Sequence, residues 1–204
     1  EADAGLRWEA IERMLVARNS HAMTTGSLPG TVVALGGCAD SSCSTGFFAS
    51  ASRYAPGAAN TWTKLPNITT PRSDLAAATL NGTVFALGGA NDNTNALASV
   101  EALDLAAAPG APLSLAWTRY PSMTTPRVGH AAAVLLGVIY VAGGQGNNLN
   151  LLASVERFDG GAHSAWATVP ASMTTARQNF ALVALEEGGA GVPPGGLLVA
   201  AGGC

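Results

Sequence analysis

Histidine, cysteine, tyrosine and carboxylate side chains are the groups in this sequence that could catalyse a reaction or bind a metal. His21 and His130 occupy a recurring slot that holds Leu75 or Phe180 elsewhere, and such alternation with apolar residues indicates packing. No HxxxH pair, no pair of catalytic carboxylates and no nucleophile–histidine–acid set can be assembled from the sequence. We therefore expect no catalytic residue, no metal site and no cofactor.

Three cysteines could form disulfides, and two Asn-x-Thr triplets could be glycosylated. Four residues separate Cys38 from Cys43, a spacing that a disulfide in a turn can span. The alternatives are thiols packed as small apolar groups or, with weaker support, a zinc site. Cys204 follows a glycine pair as Cys38 does, so we expect its partner to lie outside this sequence. The Asn-x-Thr triplets predict N-glycosylation at Asn67 and Asn81, although Asn81 also suits a tight turn.

A repeat of about 50 to 55 residues runs through the chain and must position these groups. Its markers are an arginine that follows Thr-Thr-Pro or a related triplet, a Gly-Gly pair that ends an apolar run, and a tryptophan ten or eleven residues before the arginine. We assign the glycines and tryptophans structural roles, since the glycines end strands where the backbone must turn. The marker residues are Arg18, Arg72, Arg127 and Arg177; Gly36, Gly37, Gly88, Gly89, Gly143, Gly144, Gly202 and Gly203; and Trp8, Trp62, Trp117 and Trp166.

Each repeat contains signals for four strands. The apolar runs His130–Leu135 and Val138–Ala142 flank Leu136-Gly137, whose counterpart one repeat earlier is Asn81-Gly82, the strongest signal for a tight hairpin. Ser154–Phe158 alternates as a half-buried strand does, and Trp166–Val169 supplies a fourth strand. Four strands in a repeat of about 50 residues predict one blade of a propeller.

The sequence resembles the kelch repeat. An arginine leads into GHAAAVLLGVIYVAGG, and SVERFD and a tryptophan follow in that order. The resemblance implies an all-β propeller of four-stranded antiparallel blades. Since such propellers usually close with about six or seven blades, we expect this chain to be part of a larger ring. The expected units are 1–17 as the fourth strand of a preceding blade, 18–71, 72–126 and 127–176 as full blades, and 177–204 as two strands of another.

An incomplete ring would leave bare strand edges, so we expect further blades of the same chain or a partner chain to cover them. The alternative is a four-bladed ring that lacks one strand.

The resemblance also implies a role for the repeated arginines. In kelch-like propellers the arginine between blades often lines one face near the axis, so Arg18, Arg72, Arg127 and Arg177 could contact acidic peptide or glycan groups. The alternative is structural: buried charges must pair, so the glutamates of Ser-Val-Glu could pair with these arginines and join adjacent blades.

The loops after each glycine pair differ most between repeats, and variable polar loops on a rigid frame often carry recognition. These loop side chains could also be plain turn formers. The candidate binding residues in these loops are Asn91, Asp92, Asn93, Asn147 and Asn148.

Composition and charge argue against several classes of function. Charged residues make up 11% of the chain and show no Lys/Arg cluster, which argues against nucleic acid. The apolar stretch 131–144 is shorter than the roughly 20 residues of a membrane span. Cysteines, sequons and scarce lysine favour an extracellular or cell-surface location, with the cytoplasm as the alternative. We expect a non-enzymatic module that binds proteins or glycans or serves as a scaffold. The alternatives are the propeller domain of a secreted copper radical oxidase and a cytosolic kelch adaptor.

Overall fold

The computed structural model describes residues 11–44, 46–56, 60–92, 95–106, 116–188 and 191–204, and within these ranges every regular element is a β-strand. The strands form three four-stranded antiparallel sheets and one hairpin, each in chain order. The first sheet contains β1 (Ala22–Thr25), β2 (Val32–Leu35), β3 (Ala51–Ala55) and β4 (Thr61–Leu65). The second contains β5 (Ala76–Leu80), β6 (Thr83–Leu87), β7 (Val100–Asp104) and β8 (Thr118–Tyr120). The third contains β9 (Ala131–Leu135), β10 (Val138–Ala142), β11 (Val155–Phe158) and β12 (Ala167–Val169), and the hairpin consists of β13 (Ala181–Leu185) and β14 (Leu197–Ala201).

The sheets are arranged as blades around a common axis. Their first strands, β1, β5, β9 and β13, pack side by side in chain order. A chain of backbone hydrogen bonds crosses from blade to blade just before these strands. Asp74 N–H donates to Ser20 O at 2.9 Å, Gly129 N–H to Asp74 O at 2.9 Å, and Asn179 N–H to Gly129 O at 2.8 Å. The predicted propeller architecture is therefore confirmed, with the first strand of each blade innermost.

Apolar side chains fill the spaces between neighbouring blades, and the second sheet is covered on both faces by the first and third. Val33 and Leu35 of the first blade pack with Val84 and Leu103 of the second. A further cluster joins the second and third blades through Phe85, Leu87, Ile139, Val141 and Phe158. Dispersion and burial of apolar area thus hold blade to blade.

The glycine pairs lie where one blade touches the start of the next. Gly88 and Gly89 have positive φ angles of 56° and 90°, and Gly89 N–H donates to Arg127 O of the following blade at 2.9 Å. A Cβ on Gly88 would lie 2.8 Å from that carbonyl, and one on Gly89 would lie 2.4 Å from Ser73 O. Both positions therefore exclude a side chain.

Three tryptophans lie at the outer ends of the blade interfaces. Trp117 and Trp166 are buried and donate their indole N–H groups to Pro66 O and Pro121 O of the preceding blade, each at 2.9 Å. Trp62 donates in the same way to Glu12 O at 3.1 Å. Trp8 lies outside the described residues.

Residues 11–17 are the described part of the predicted fourth strand, and they are not assigned as a strand. Strands are defined by hydrogen bonds to a neighbour, and no described segment pairs with this one. The hydrogen bond from Trp62 to Glu12 nevertheless puts it where Pro66 and Pro121 lie in the later blades. None of the described residues forms a helix that could cross a membrane.

The hairpin turns generate a prediction about stability. Asn81-Gly82 and Leu136-Gly137 both take positive φ angles, 51° and 80° against 49° and 75°. The left-handed conformation costs an ordinary L-residue about 1–2 kcal/mol, and asparagine adopts it more readily. We expect Leu136→Asn, at a side chain 55% exposed, to raise the free energy of unfolding by about 0.5–1 kcal/mol in urea titrations. Asn81→Leu is the reverse exchange and should lower it, so an equal response of both variants would contradict this account.

Candidate functional site

The guanidinium group of Arg72 lies inside its blade, where side-chain and carbonyl oxygens surround it. Its Nη1 donates to Gly88 O at 2.9 Å and Ser99 O at 3.0 Å, and its Nη2 donates to Ser99 Oγ at 3.1 Å and to Glu101 Oε1 at 2.7 Å. Its Nε donates to Thr70 O at 3.2 Å. All five N–H donors of the side chain are thus engaged. The contacts join the start of the first strand to the end of the second and the start of the third.

Arg127 repeats this arrangement in the third blade. It donates to Gly143 O at 2.8 Å and Ser154 O at 3.0 Å, and its Nη2 lies 3.0 Å from Glu156 Oε1. The side chains of Arg72 and Arg127 are 0% exposed. Burial corrects the hypothesis that these two arginines contact a ligand, because their donors are engaged inside the protein. The pairing with glutamate also lies within a blade, whereas the sequence-based alternative expected it between blades.

The first and last arginines keep part of the same contacts. Arg18 is buried and donates to Gly36 O at 2.7 Å and Ser50 O at 2.9 Å, but Ser52 occupies the position of the glutamate. The ring of Phe48 lies 5.8 Å from the Arg18 guanidinium carbon and adds a cation–π contact. Arg177 is half-buried and donates to Gly202 O at 2.8 Å. Arg18, Arg72 and Arg127 therefore do not present a free guanidinium fork, whereas ligand contact by the half-buried Arg177 stays a prediction.

The glutamates of the network accept from the backbone as well as from arginine. Glu156 accepts from Thr124 N–H at 2.6 Å and Thr125 N–H at 3.1 Å, and Glu101 accepts from the equivalent Thr69 and Thr70. Burial raises the pKa of both carboxyls, but the threonine hydrogen bonds and the arginine charge outweigh it, so each pKa is lowered. Both carboxylates are thus ionised partners of buried cations.

His130 lies in the recurring slot between blades. Its Cε1 faces Gly88 of the preceding blade, where Leu75 and Phe180 face Gly36 and Gly143. The side chain is buried, and neither ring nitrogen has a hydrogen-bond partner. Burial, followed by the charge of Arg127, lowers its pKa to about 3, although the backbone of Leu87 raises it slightly. The ring is therefore neutral, and it fills a position that suits an apolar side chain.

The loops after the glycine pairs surround a cavity of about 200 Å³. We call this surface the loop face; it consists of the described residues of 38–47, 90–96 and 145–151, one loop from each full blade. Asp92 and Asn95 belong to the second loop, and Leu149 of the third is 73% exposed. The cavity is lined by Ser42, Cys43, Phe47, Ser73, Asp74, Ala90, Asp92, Asn95, Ala96, Val128, Gln145, Gly146 and Leu149.

A second cavity, of about 190 Å³, lies at the axis beside the first. Asp74 lines both cavities. No sequence signal marks Asp74 as a site residue, because it stands at a repeated backbone position where only this copy is charged. The position lies two residues after each arginine and holds Ser20, Asp74, Gly129 and Asn179, all with positive φ. The only feature that the four copies share in sequence is a preference for residue types that tolerate positive φ. The axial cavity is lined by Ser20, His21, Asp74, Leu75, Gly129, His130 and Asn179.

The predicted loop residues have different roles. Asn147 Oδ1 accepts from Ala96 N–H at 2.6 Å, which ties the third loop to the second. Asp92 Oδ1 accepts from Asn95 N–H at 2.7 Å and also lines the cavity. Asn91 and Asn148 are exposed, and Asn93 lies outside the described residues.

Cys38 and Cys43 are joined by a disulfide, and Cys43 lines the loop cavity. Cys204 carries a free, exposed thiol. Asn67 is exposed in a connecting segment, and Asn81 lies in the hairpin turn, so glycosylation and an oxidising compartment stay predictions. Within the described ranges, no group of three His, Cys, Asp or Glu side chains is placed to hold a metal ion.

Comparison with known proteins supports the architecture. The kelch motif family matches residues 71–124 and 126–159. The solved structure of YjhT superposes with a TM-score of 0.68 over 84% of this chain and 57% of that one, at 16% sequence identity. This likeness shows the fold alone.

Curated relatives carry kelch repeats as well. An F-box/kelch-repeat protein of Arabidopsis thaliana is 34% identical over 43% of this chain and 22% of its own length. Kelch-like protein 33 of Homo sapiens is 32% identical over 65% of this chain and 23% of its own length. Kelch-like ECH-associated protein 1B of Danio rerio is 31% identical over 41% of this chain and 14% of its own length. The chain therefore spans less than a quarter of the length of these relatives.

The buried ion pair predicts a large cost for one conservative substitution. Glu156→Gln keeps the shape of the side chain but leaves the charge of Arg127 buried without a counter-charge. We expect it to lower the free energy of unfolding by about 3 kcal/mol, measured by urea denaturation. Arg157→Gln, at the next residue on an exposed side chain, should change it by less than about 0.5 kcal/mol. A loss below about 1 kcal/mol for Glu156→Gln would mean that the pair does not brace the blade.

The burial of the His130 ring predicts an effect of pH on the free energy of unfolding. The folded pKa of about 3 lies below the ordinary 6.5, so only the unfolded chain binds this proton between those values. Stability should be complete above pH 6.5 and fall as the pH drops towards 3, by up to about 1.4 kcal/mol per unit.

We expect His130→Leu and His130→Phe, which place residues of the other repeats in the slot, to remove most of this dependence between about pH 6.5 and 5. They should also stabilise the protein by about 1–2 kcal/mol at neutral pH, since two unpartnered nitrogens are lost. Thermal or urea unfolding at several pH values measures both effects, and an unchanged pH slope in both variants would refute the assignment.

Proposed function

The chain belongs to the kelch-repeat β-propeller family, and from this premise we propose that it is a non-enzymatic module that binds a protein partner through the loop face. The main observation that supports this proposal is the cavity of about 200 Å³ between the loops of three blades. Drug-sized ligands occupy pockets of roughly 300–1,000 Å³, so this cavity suits one side chain of a larger partner. A protein segment laid across the loops would supply such a side chain.

The frame beneath the loop face supports this function. The arginine networks join three strand ends of a blade directly under the loop that follows the glycine pair. The hydrogen bond from Ala96 to Asn147 then links two neighbouring loops. A recognition surface built on such a frame loses little conformational entropy on binding.

An exposed apolar side chain at the rim adds to the support. Leu149 is 73% exposed, and Gln145 Nε2 donates to its carbonyl oxygen at 2.9 Å, which fixes the loop that carries it. Burying a leucine against a partner contributes about 1.5–3 kcal/mol. We favour binding over catalysis because the most versatile side chains of this end of the blades, the arginines and glutamates, are committed to structure.

A selection experiment tests the proposal without a known partner. The chain is immobilised and used to select binders from a phage-displayed random-peptide library. Leu149→Asn is the test variant, and Leu136→Asn is its matched control, because both leucines are exposed with positive φ but Leu136 lies in the turn at the other end of the strands.

We expect selected peptides to lose about tenfold or more in affinity for Leu149→Asn and to stay within about twofold for Leu136→Asn. Peptides that respond equally to both substitutions, or to the control alone, would overturn the assignment of the loop face. Selective capture of oligosaccharides from a glycan array by the same face would instead favour the glycan alternative.

A further inference from the structure

The two cavities that meet at Asp74 have the charge of a site for a cation. Asp74 contributes a carboxylate to both, and Asp92 adds a second one to the loop cavity. No lysine or arginine is among the described residues that line either cavity. An arginine stands two residues before each axial position; Arg18, Arg72 and Arg127 are buried in their blades, and the half-buried Arg177 donates to Gly202 O at 2.8 Å.

The axial cavity also offers neutral hydrogen-bond acceptors. Burial, followed by the charge of Arg18, lowers the pKa of His21, so this half-buried ring is neutral and one of its nitrogens can accept a hydrogen bond. His130 also lines this cavity, but its ring nitrogens are buried and do not reach the cavity surface.

Asn179 adds a further acceptor at the same place. Its Oδ1 would lie 2.8 Å from a Cβ on Gly129, so the amide oxygen leans over the glycine that separates Asp74 from Asn179 around the axis. The glycine leaves this approach open, since any side chain there would displace the asparagine. Acceptors thus surround the mouth of the axial cavity, and a guest rich in N–H donors would complement them.

From this arrangement we infer that the shared mouth of the two cavities takes the ammonium or guanidinium head of one lysine or arginine of the partner, paired with Asp74. The inference rests on the proposed protein-binding function and adds the chemistry of the partner. An apolar residue beside the cation would lie on Leu149, at the rim of the same cavity. The partner is therefore an extended segment that combines a basic residue with an apolar one.

A small probe tests the charge preference directly. N-acetyl-arginine N-methylamide is titrated into the chain and followed by amide chemical shifts, with the citrulline analogue as its neutral isostere. We expect saturable shifts at Asp74, Gly129 and Asn179 for the arginine probe, weakened by added salt, and about tenfold weaker binding of citrulline.

Asp74→Asn is the decisive variant, because the repeat itself places asparagine at this backbone position in Asn179. It should fold normally and lose about tenfold in affinity for the arginine probe. Asp159→Asn removes one exposed carboxylate from the turn at the other end of the third blade and should leave probe binding unchanged.

The results separate this inference from the proposed function. Library peptides that depend on Leu149 but lack basic residues and ignore Asp74→Asn would overturn the inference and leave the proposed function standing. An arginine probe that binds at Asp74 while no peptide depends on Leu149 would do the reverse. Equal binding of arginine and citrulline, or shifts located away from Asp74, would also overturn the inference.

Discussion

A buried guanidinium group at the inner end of each full blade is the interaction on which the rest of this structure depends. A cation taken out of water must pair every N–H donor, and Arg72 does so with the carbonyls of Thr70, Gly88 and Ser99, a hydroxyl and Glu101. These partners come from three chain segments that are far apart in sequence. The requirement to satisfy one side chain therefore fixes the ends of three strands relative to one another.

The sequence motifs of the repeat follow from this requirement. The glutamate of Ser-Val-Glu balances the charge, its serine supplies a hydroxyl and a carbonyl, and the paired threonines donate to the glutamate. The glycine pair brings its carbonyl to the arginine and its second N–H to the next blade. The first blade tolerates Ser52 in place of glutamate because Arg18 is less completely enclosed and lies against Phe48. Charge balance and blade contact are thus two consequences of one buried group.

The fold could be predicted from the sequence because the repeat markers lie at positions with the same structural role in every blade. Spacing predicted the strands to within a residue or two: His130–Leu135 became Ala131–Leu135, and Trp166–Val169 became Ala167–Val169. Spacing could not indicate whether the arginines face a ligand or the interior, since both arrangements use the same residue at the same interval. It also could not reveal Asp74, because cavities arise from residues of several blades and single copies carry no periodic signal.

Repeated positions therefore maintain the fold, whereas positions that differ between repeats are available for recognition. A repeated backbone position such as that of Ser20, Asp74, Gly129 and Asn179 demands only tolerance of positive φ and a blade-to-blade hydrogen bond through the main chain. Since neither demand involves the side chain, the charge at this position can change without cost to the fold. The same holds for Leu149, whose exposed side chain has little part in the core. Recognition is then expected where neighbouring blades differ although their backbones agree, and at the axis the single carboxylate of Asp74 is the clearest such difference.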